Sequence, residues 1–318
     1  MKITDLPPEV AEILVTCPKA GDGVNNFIIR AAWWLHWAGV PEADMPSLIE
    51  AATENCGRSL VDGEIDRAIV KSGRYFRGEI GAERRTPKWP KANPEQIQAI
   101  VRDGPKLQDL REWSPVKWAD RRAHTDEVLD GLFPGNPLLC IGMSKFKFHT
   151  RPRNVWRGRL SFAQFIVPSP MSKVTGLTKE GKVSEHALEN TGPRRFLVIE
   201  FDPPKWGDLS TVQQARFGEE NAYFDARRDE HASILAHLSY FAPFVMAVHS
   251  ASKSIHGWFY VQHWSENETE DFFRYAVSLG ADKQLWVRSQ FVRLPDGFRP
   301  DKQKRQLIIY YNPSLIHE

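Results

Sequence analysis

The alternation of apolar and polar positions divides this chain into a helical first part and a strand-rich second part. Over residues 1–80 apolar residues recur at helical spacing. Three segments carry that period: 27–40 (FIIRAAWWLHWAGV), 45–57 (MPSLIEAATENCG) and 60–76 (LVDGEIDRAIVKSGRYF). Asn25-Asn26 precedes the first, a glycine stops each of the first two, and Asp62 stands where the third needs an N-cap. Together they predict a small helical bundle, with Trp33, Trp34 and Trp37 in its core. Residues 81–95 (GAERRTPKWPKANPE) are basic, proline-containing and aperiodic, and read as a linker.

Residues 96–318 read as a second domain. Asn93-Pro94 opens a short helix over 95–104, and 118–133 gives another that stops at Pro134-Gly135. From Leu138 the pattern turns to strands, at 138–142 and 160–169, then a polar loop over 171–194, then FLVIEFD at 196–202. A broken helical stretch follows over 211–241, then strands at 244–250 and 255–262 around a short turn. A helix over 268–281 and strands at 285–294 and 306–312 complete the pattern. From Phe196 the order is β-α-β-β-α-β, the ferredoxin-like arrangement, so the predicted fold class is α+β. In that topology the third strand lies beside the first on one edge and the fourth on the other, both antiparallel. Ser254, His256 and Asp282 are then expected at the C-terminal end of the first strand, beside Glu200 and Asp202.

Glu200 and Asp202 are two positions apart on a strand, so they point the same way, about 7 Å apart. Two like charges at the end of a buried strand are costly to desolvate unless a cation neutralises them. The pattern asks for a divalent metal, and oxygen-only ligands favour Mg²⁺ or Mn²⁺. After Asp282 come Lys283, Arg288, Arg293, Arg299, Lys302, Lys304 and Arg305, against only Asp296 and Asp301. Acids that hold a metal, followed by a basic stretch, suit a polyphosphate ligand.

The net charge of +2 restricts any nucleic-acid surface to a local patch. The three cysteines, Cys17, Cys56 and Cys140, form no C-x-x-C pair, which disfavours a cysteine zinc site or a disulfide framework. Reduced thiols and a cytoplasmic location are expected. No apolar run is long enough for a membrane span, the N-terminus carries no signal segment, and no membrane partner is expected.

Three segments carry a family resemblance: VIEFD at 198–202, SKSIHGWF at 252–259 and LGADKQLWVRSQFVRLPDGFR at 279–299. In order and spacing they resemble the motifs of the archaeo-eukaryotic primase superfamily: a paired-acid strand, S-x-H, and a hydrophobic-Asp motif followed by arginines. Within that superfamily the chain looks like the primase-polymerases of plasmids, phages and integrated elements. The resemblance implies an RRM-like catalytic sheet with an additional α/β subdomain. Residues 1–80 look like the primase-associated helical domain, which in many relatives follows the catalytic part. The implied activity is two-metal, template-directed nucleotidyl transfer. By resemblance, Glu200, Asp202 and Asp282 hold Mg²⁺ or Mn²⁺ and are the catalytic acids. Ser254 and His256 contact the triphosphate, Arg293 and Arg288 are its arginines, and Lys253 adds a phosphate contact. Asp296 is the alternative third acid, and Glu200 stands where Asp is commoner. The implied partners are a single-stranded DNA template and NTPs or dNTPs. No G-x-x-x-x-G-K-[ST] motif is present, so a separate replicative helicase is expected.

Rival readings remain. A metal-dependent nuclease also uses paired acids near a basic surface, but no E-x-K accompanies these. A rolling-circle endonuclease needs an H-x-H strand, which HGWFYVQHW lacks. A non-catalytic module would bind single strands by stacking on the sheet.

Overall fold

The computed structural model describes residues 3–19, 24–76, 88–120, 122–160 and 162–316. The chain divides into two compact units, Met1–Pro87 and Lys88–Glu318.

The first unit contains α1 (Pro8–Leu14), α2 (Val24–Trp37), α3 (Met45–Thr53) and α4 (Glu64–Phe76). Ile28, Ala31 and Leu35 of α2 fall on one face and pack with Leu14, Leu48, Ile49 and Ile69. Of the three tryptophans expected in this core, Trp34 packs against it from the edge. Trp37 is 50% exposed, Trp33 and Trp34 are half-buried, and the rings meet edge to face at 5.1 and 5.3 Å. Shared helical spacing put them near the core line but rotated away from it. At the start of α4 the Glu64 carboxylate, rather than Asp62, accepts the Val61 amide at 3.1 Å and pairs with Arg58 at 2.6 Å.

The second unit is mixed α+β. Its helices α5 (Pro94–Arg102), α6 (Leu107–Trp113) and α7 (Thr125–Leu132) precede a hairpin of β1 (Leu138–Gly142) and β2 (Phe148–Pro152). Then come α8 (Arg153–Trp156), β3 (Phe165–Ile166), β4 (Gly176–Leu177), β5 (Val183–Ser184) and β6 (Phe196–Glu200). Next are α9 (Thr211–Phe217) and α10 (Glu220–Leu238), parted at Gly218, whose φ of 75° suits glycine. β7 (Phe244–His249), β8 (Ile255–Tyr260) and α11 (Glu266–Ser278) follow. Last are β9 (Val292–Arg293), β10 (Phe298–Arg299), β11 (Lys304–Arg305) and β12 (Ile308–Tyr311). Of the stretch read as a linker, 81–87 lies outside the described residues. Trp89 is packed edge to face on Phe273 at 5.1 Å and Trp286 at 5.5 Å, which ties the rest of that stretch to the second unit.

Two four-stranded sheets organise this unit, β2-β1-β3-β9 and β12-β7-β8-β6. In the latter, β8 lies antiparallel between β6 and β7. The pleat sorts its residues onto two faces. Leu197, Ile199, Gly257 and Phe259 face α10 and α11. Phe272 meets Phe259 at 5.2 Å, and Leu235 lies so close over Gly257 that a Cβ there would fall 2.3 Å from Leu235 Cδ2. Phe196, Val198, Glu200, His256, Trp258 and Tyr260 point to the other face, where Phe133 packs on Phe196 at 5.6 Å. Ile141, Ile166 and Val292 of the other sheet share this core.

The fourth strand is not where the sequence pattern puts it. Only its approach lies beside β6, where the Asp282 amide donates to the Glu200 carbonyl at 2.7 Å. The chain then enters a 3-10 turn at Lys283–Trp286. Trp286 is drawn into an aromatic pocket with Trp89 and Phe273, and the Arg194 guanidinium lies 4.7 Å above its ring. The end of the expected strand, β9, pairs with β3, and β12 pairs with β7. The three cysteines are free thiols. Among the described residues no helix is long and apolar enough to cross a membrane.

Candidate active site

β6 is fully buried from Phe196 to Ile199 and reaches the surface at Glu200. Antiparallel register sets Glu200 opposite His256, so both side chains leave the same face. Glu200 Oε1 accepts from Ser254 Oγ at 2.9 Å and lies 3.2 Å from His256 Nε2. Ser254 and His256 are almost wholly buried, at 3% and 2% exposure. Burial by itself would raise the Glu200 pKa. The nearby His256 ring, the Ser254 hydroxyl and the Arg293 charge outweigh it and pull the carboxyl down to about 2. This acid is held ionised in a largely desolvated place.

The turn between β7 and β8 is built to deliver these groups. Ser250 and Ser254 close it, with Ser250 N donating to Ser254 O at 3.0 Å and Ser254 N donating to Ser250 Oγ at 3.2 Å. Ala251 takes a left-handed φ of 57°, an uncommon conformation for a residue with a Cβ. Two arginines brace the turn from outside. Arg299 Nη1 donates to Ser250 O at 3.1 Å, and Arg228 Nη1 donates to Ser252 O at 3.1 Å. Lys253 leaves the turn toward β6, pairing with Asp202 Oδ1 at 2.5 Å and donating to Pro203 O at 2.9 Å. Asp202 is the exposed member of the acid pair, with 60% of its side chain accessible.

Asp282 joins the cluster through its backbone. Its carboxylate accepts from Gln284 N at 3.0 Å and so caps the 3-10 turn. Arg293 lies with its guanidinium 4.8 Å over the Phe165 ring. Burial, then the neighbouring Arg299, push its pKa down to about 10, while Glu200 and Asp301 act the other way. Arg288 is not brought to this cluster; it reaches the Gly192 carbonyl at 3.4 Å. Asp296, the alternative third acid, is buried in a structural role. It accepts the His124 amide at 2.7 Å and carries a left-handed φ of 55°.

Sequence reasoning did not single out His231. Its ring stacks on Phe201 at 4.9 Å, on the helix-facing side of β6, and its Nδ1 has no hydrogen-bond partner among the described residues. Burial and the Arg227 and Arg228 charges push its pKa down to about 3. His249 is half-buried, and burial with the Arg228 and Arg111 charges lowers it to about 4. A lone histidine on a helix gives no signal that would have found His231.

Among the described residues no three His, Cys, Asp or Glu side chains are gathered closely enough to hold a metal. Glu200 and Asp202 are nevertheless hard oxygen donors at one strand end, the chemistry Mg²⁺ and Mn²⁺ take. The cationic Lys253 now neutralises Asp202. The apolar hollow lined by Trp113, Tyr240, Phe241 and Tyr310 opens where β7 begins, at the other end of the sheet. No protein-family description, curated protein or solved structure matches this chain.

Proposed function

We propose that this chain is a template-directed nucleotidyltransferase of the archaeo-eukaryotic primase type, a primase-polymerase serving replication of a plasmid, phage or integrated element. One observation carries the reading. The paired-acid motif and the S-x-H motif meet at Glu200, which accepts from Ser254 Oγ and lies 3.2 Å from His256 Nε2, and the third motif reaches the same strand end through Asp282 N. The β6-β8-β7 order supports the reading as the first three strands of an RRM-like sheet, although the fourth strand lies beside β7 instead of β6.

Glu200 and Asp202, with Asp282, would hold Mg²⁺ or Mn²⁺. A bound divalent ion would ease ionisation of an attacking 3′-hydroxyl and neutralise charge on the α-phosphate and leaving pyrophosphate. The chain's own groups act around that chemistry. Ser254 and His256 fix the Glu200 carboxylate, so no reorganisation is needed when charge develops. Lys253 and Arg293 supply positive charge for a triphosphate, and Lys253 exchanges Asp202 for phosphate oxygens. Arg288 has no part in this version of the site. The partners are a single-stranded DNA template, NTPs or dNTPs and a separate replicative helicase, in the cytoplasm.

A second reading draws on the pairing of both acids with Lys253 and with Ser254 and His256, which satisfies them without a metal. The chain would then be a non-catalytic single-strand-binding replication protein. Primer-free synthesis on single-stranded DNA separates the two, with NTPs and dNTPs supplied separately and Mg²⁺ compared with Mn²⁺. Labelled product that disappears in Asp202→Ala supports the transferase. No incorporation under any condition, with oligonucleotide binding intact, supports the binder; strand cleavage instead points to a nuclease.

A further inference from the structure

The β1–β2 hairpin ends in Ser144-Lys145-Phe146-Lys147-Phe148. Its own polar groups hold the turn closed. Ser144 Oγ accepts the amides of Phe146 at 3.2 Å and Lys147 at 3.0 Å, and Met143 N donates to Lys147 O at 2.8 Å. This turn displays the Phe146 ring outward, 93% exposed. A single exposed apolar residue is ordinary; this one has two unusual neighbours and a connection. Lys145 and Lys147 flank it, both exposed, and neither ammonium has an ion-pair partner among the described residues. The nearby acid on this side, Glu185, is already paired with Arg151 at 2.8 Å and His149 at 3.3 Å.

The connection runs along the sheet. Register places Phe148, Gly142, Phe165 and Arg293 in one row across β2, β1, β3 and β9. Residues in one row share a face, and strands about 4.8 Å apart make the row about 15 Å long. Gly142 leaves a gap that Phe291 fills, since a Cβ there would meet Phe291 Cζ at 3.4 Å. Phe291 touches Phe148 at 5.7 Å and Phe165 at 5.9 Å. Arg293 then lies over Phe165 at 4.8 Å. Aromatic rings therefore run from the hairpin to Arg293, but behind Phe146 they are packing: Phe165 is buried, and the His186 ring stacks on Phe291 at 3.9 Å and meets Phe148 at 5.1 Å.

Rings interleaved with unpaired cations suit a single strand. Every base offers a face to stack on, and ammonium groups follow the phosphates. A duplex offers no free base faces, and a purely apolar partner has no use for the lysines. We infer that the 144–148 turn, at the end of the row that leads to Arg293, holds a single-stranded nucleic acid on the Phe146 ring and the two flanking ammonium groups. Calling that strand the template rests on the nucleotidyl-transfer reading; the surface itself does not.

The test uses the full chain, a labelled mixed-sequence DNA or RNA oligonucleotide and fluorescence anisotropy over a salt series, without metal or nucleotide. Phe146→Ala should weaken binding of the single strand about tenfold, the loss of one stacked base. Lys145→Gln with Lys147→Gln should lower the log–log salt slope by about 1.4. Both variants should keep the parent's melting temperature, because the three side chains are exposed. A parent chain that binds no single strand, or variants that bind like the parent, overturns the surface. Because the assay involves no catalysis, lost binding in a chain that never incorporates nucleotide upholds the surface and sinks only the transferase. Unchanged binding in an active chain sinks the surface alone.

Discussion

Glu200 and His256 occupy one rung of the β6–β8 ladder, with 3.2 Å between Oε1 and Nε2, and both lie at the end of a strand that is otherwise buried. The carboxylate is therefore kept ionised by partners that the unfolded chain lacks. Its pKa is about 2, against an ordinary 4.5, so the folded state binds the Glu200 proton later than the unfolded state does. The stabilisation it gives is complete above pH 4.5 and is lost as pH falls toward 2. Glu200→Gln should be less stable at neutral pH and should lose less on acidification. Urea unfolding of parent and variant from pH 7 down to 3 measures this; parallel curves would exclude the coupling.

Asp202 stands on the same side of the strand end but is exposed, with Lys253 as its partner. A surface ion pair contributes little to stability, about 0–1 kcal/mol. Asp202→Ala should therefore unfold within about 1 kcal/mol of the parent while abolishing nucleotide incorporation. Retained incorporation would remove the acid pair from the chemistry.

The Arg293 guanidinium rests over the Phe165 ring, and on the proposed reading it would meet a phosphate there. A charge-assisted hydrogen bond is worth about 1.5–3 kcal/mol. Arg293→Ala should raise the apparent KM for nucleotide about ten- to a hundredfold. Arg288→Ala, which removes only a contact to Gly192, should leave that KM unchanged. Steady-state incorporation across nucleotide concentrations gives both values, and equal effects of the two substitutions would contradict the assignment.

The part of this site that the sequence discloses is the part fixed by strand period. Alternation sets the face of Glu200 and Asp202, and the short turn to β8 sets Ser254 and His256 beside them. Asp282 was readable only in its main chain, because its carboxylate is used as a local cap. Arg288 was misplaced for a different reason. The alternation over 285–294 looks like a strand, yet burial of Trp286 against Trp89 and Phe273 diverts the chain, and contacts that distant in sequence leave no period. β3 and β9 fall within the strands expected over 160–169 and 285–294 but keep only two residues each, and β2 gave no alternation to read. Arg228 and Arg299 brace the turn through carbonyl contacts that any arginine could make, and no motif marks them.

Gly257, next to His256, is required by packing rather than by backbone conformation. Leu235 of α10 occupies the space its Cβ would take, at 2.3 Å, and Leu235 is itself fully buried. Gly257→Ala must shift α10 or force Leu235 off its rotamer, at about 1–3 kcal/mol. Leu235→Ala in the same chain should recover part of the overpacking loss, although it leaves a cavity elsewhere. A double-mutant cycle by chemical denaturation measures that coupling; strict additivity would mean that the helix does not rest on the glycine.

His231 sits behind β6 with its ring against Phe201, where the charges of Arg227, Glu200 and Arg228 act on it. Burial and the two arginines lower its pKa from 6.5 to about 3. Between those values the unfolded chain takes up a proton that the folded chain refuses, so stability falls as pH drops below 6.5. His231→Phe keeps the stacking surface and removes the titration. It should flatten the stability profile between pH 6.5 and 3, opposite in origin to the Glu200 effect and reaching to higher pH. Denaturation midpoints at pH 5 and 7.5 separate the two, because Glu200 is ionised in both states at pH 7.5 and largely so at pH 5. A His231→Phe chain that loses as much stability as the parent between these two values would show that His231 is protonated in the fold, since His249 titrates alike in both chains.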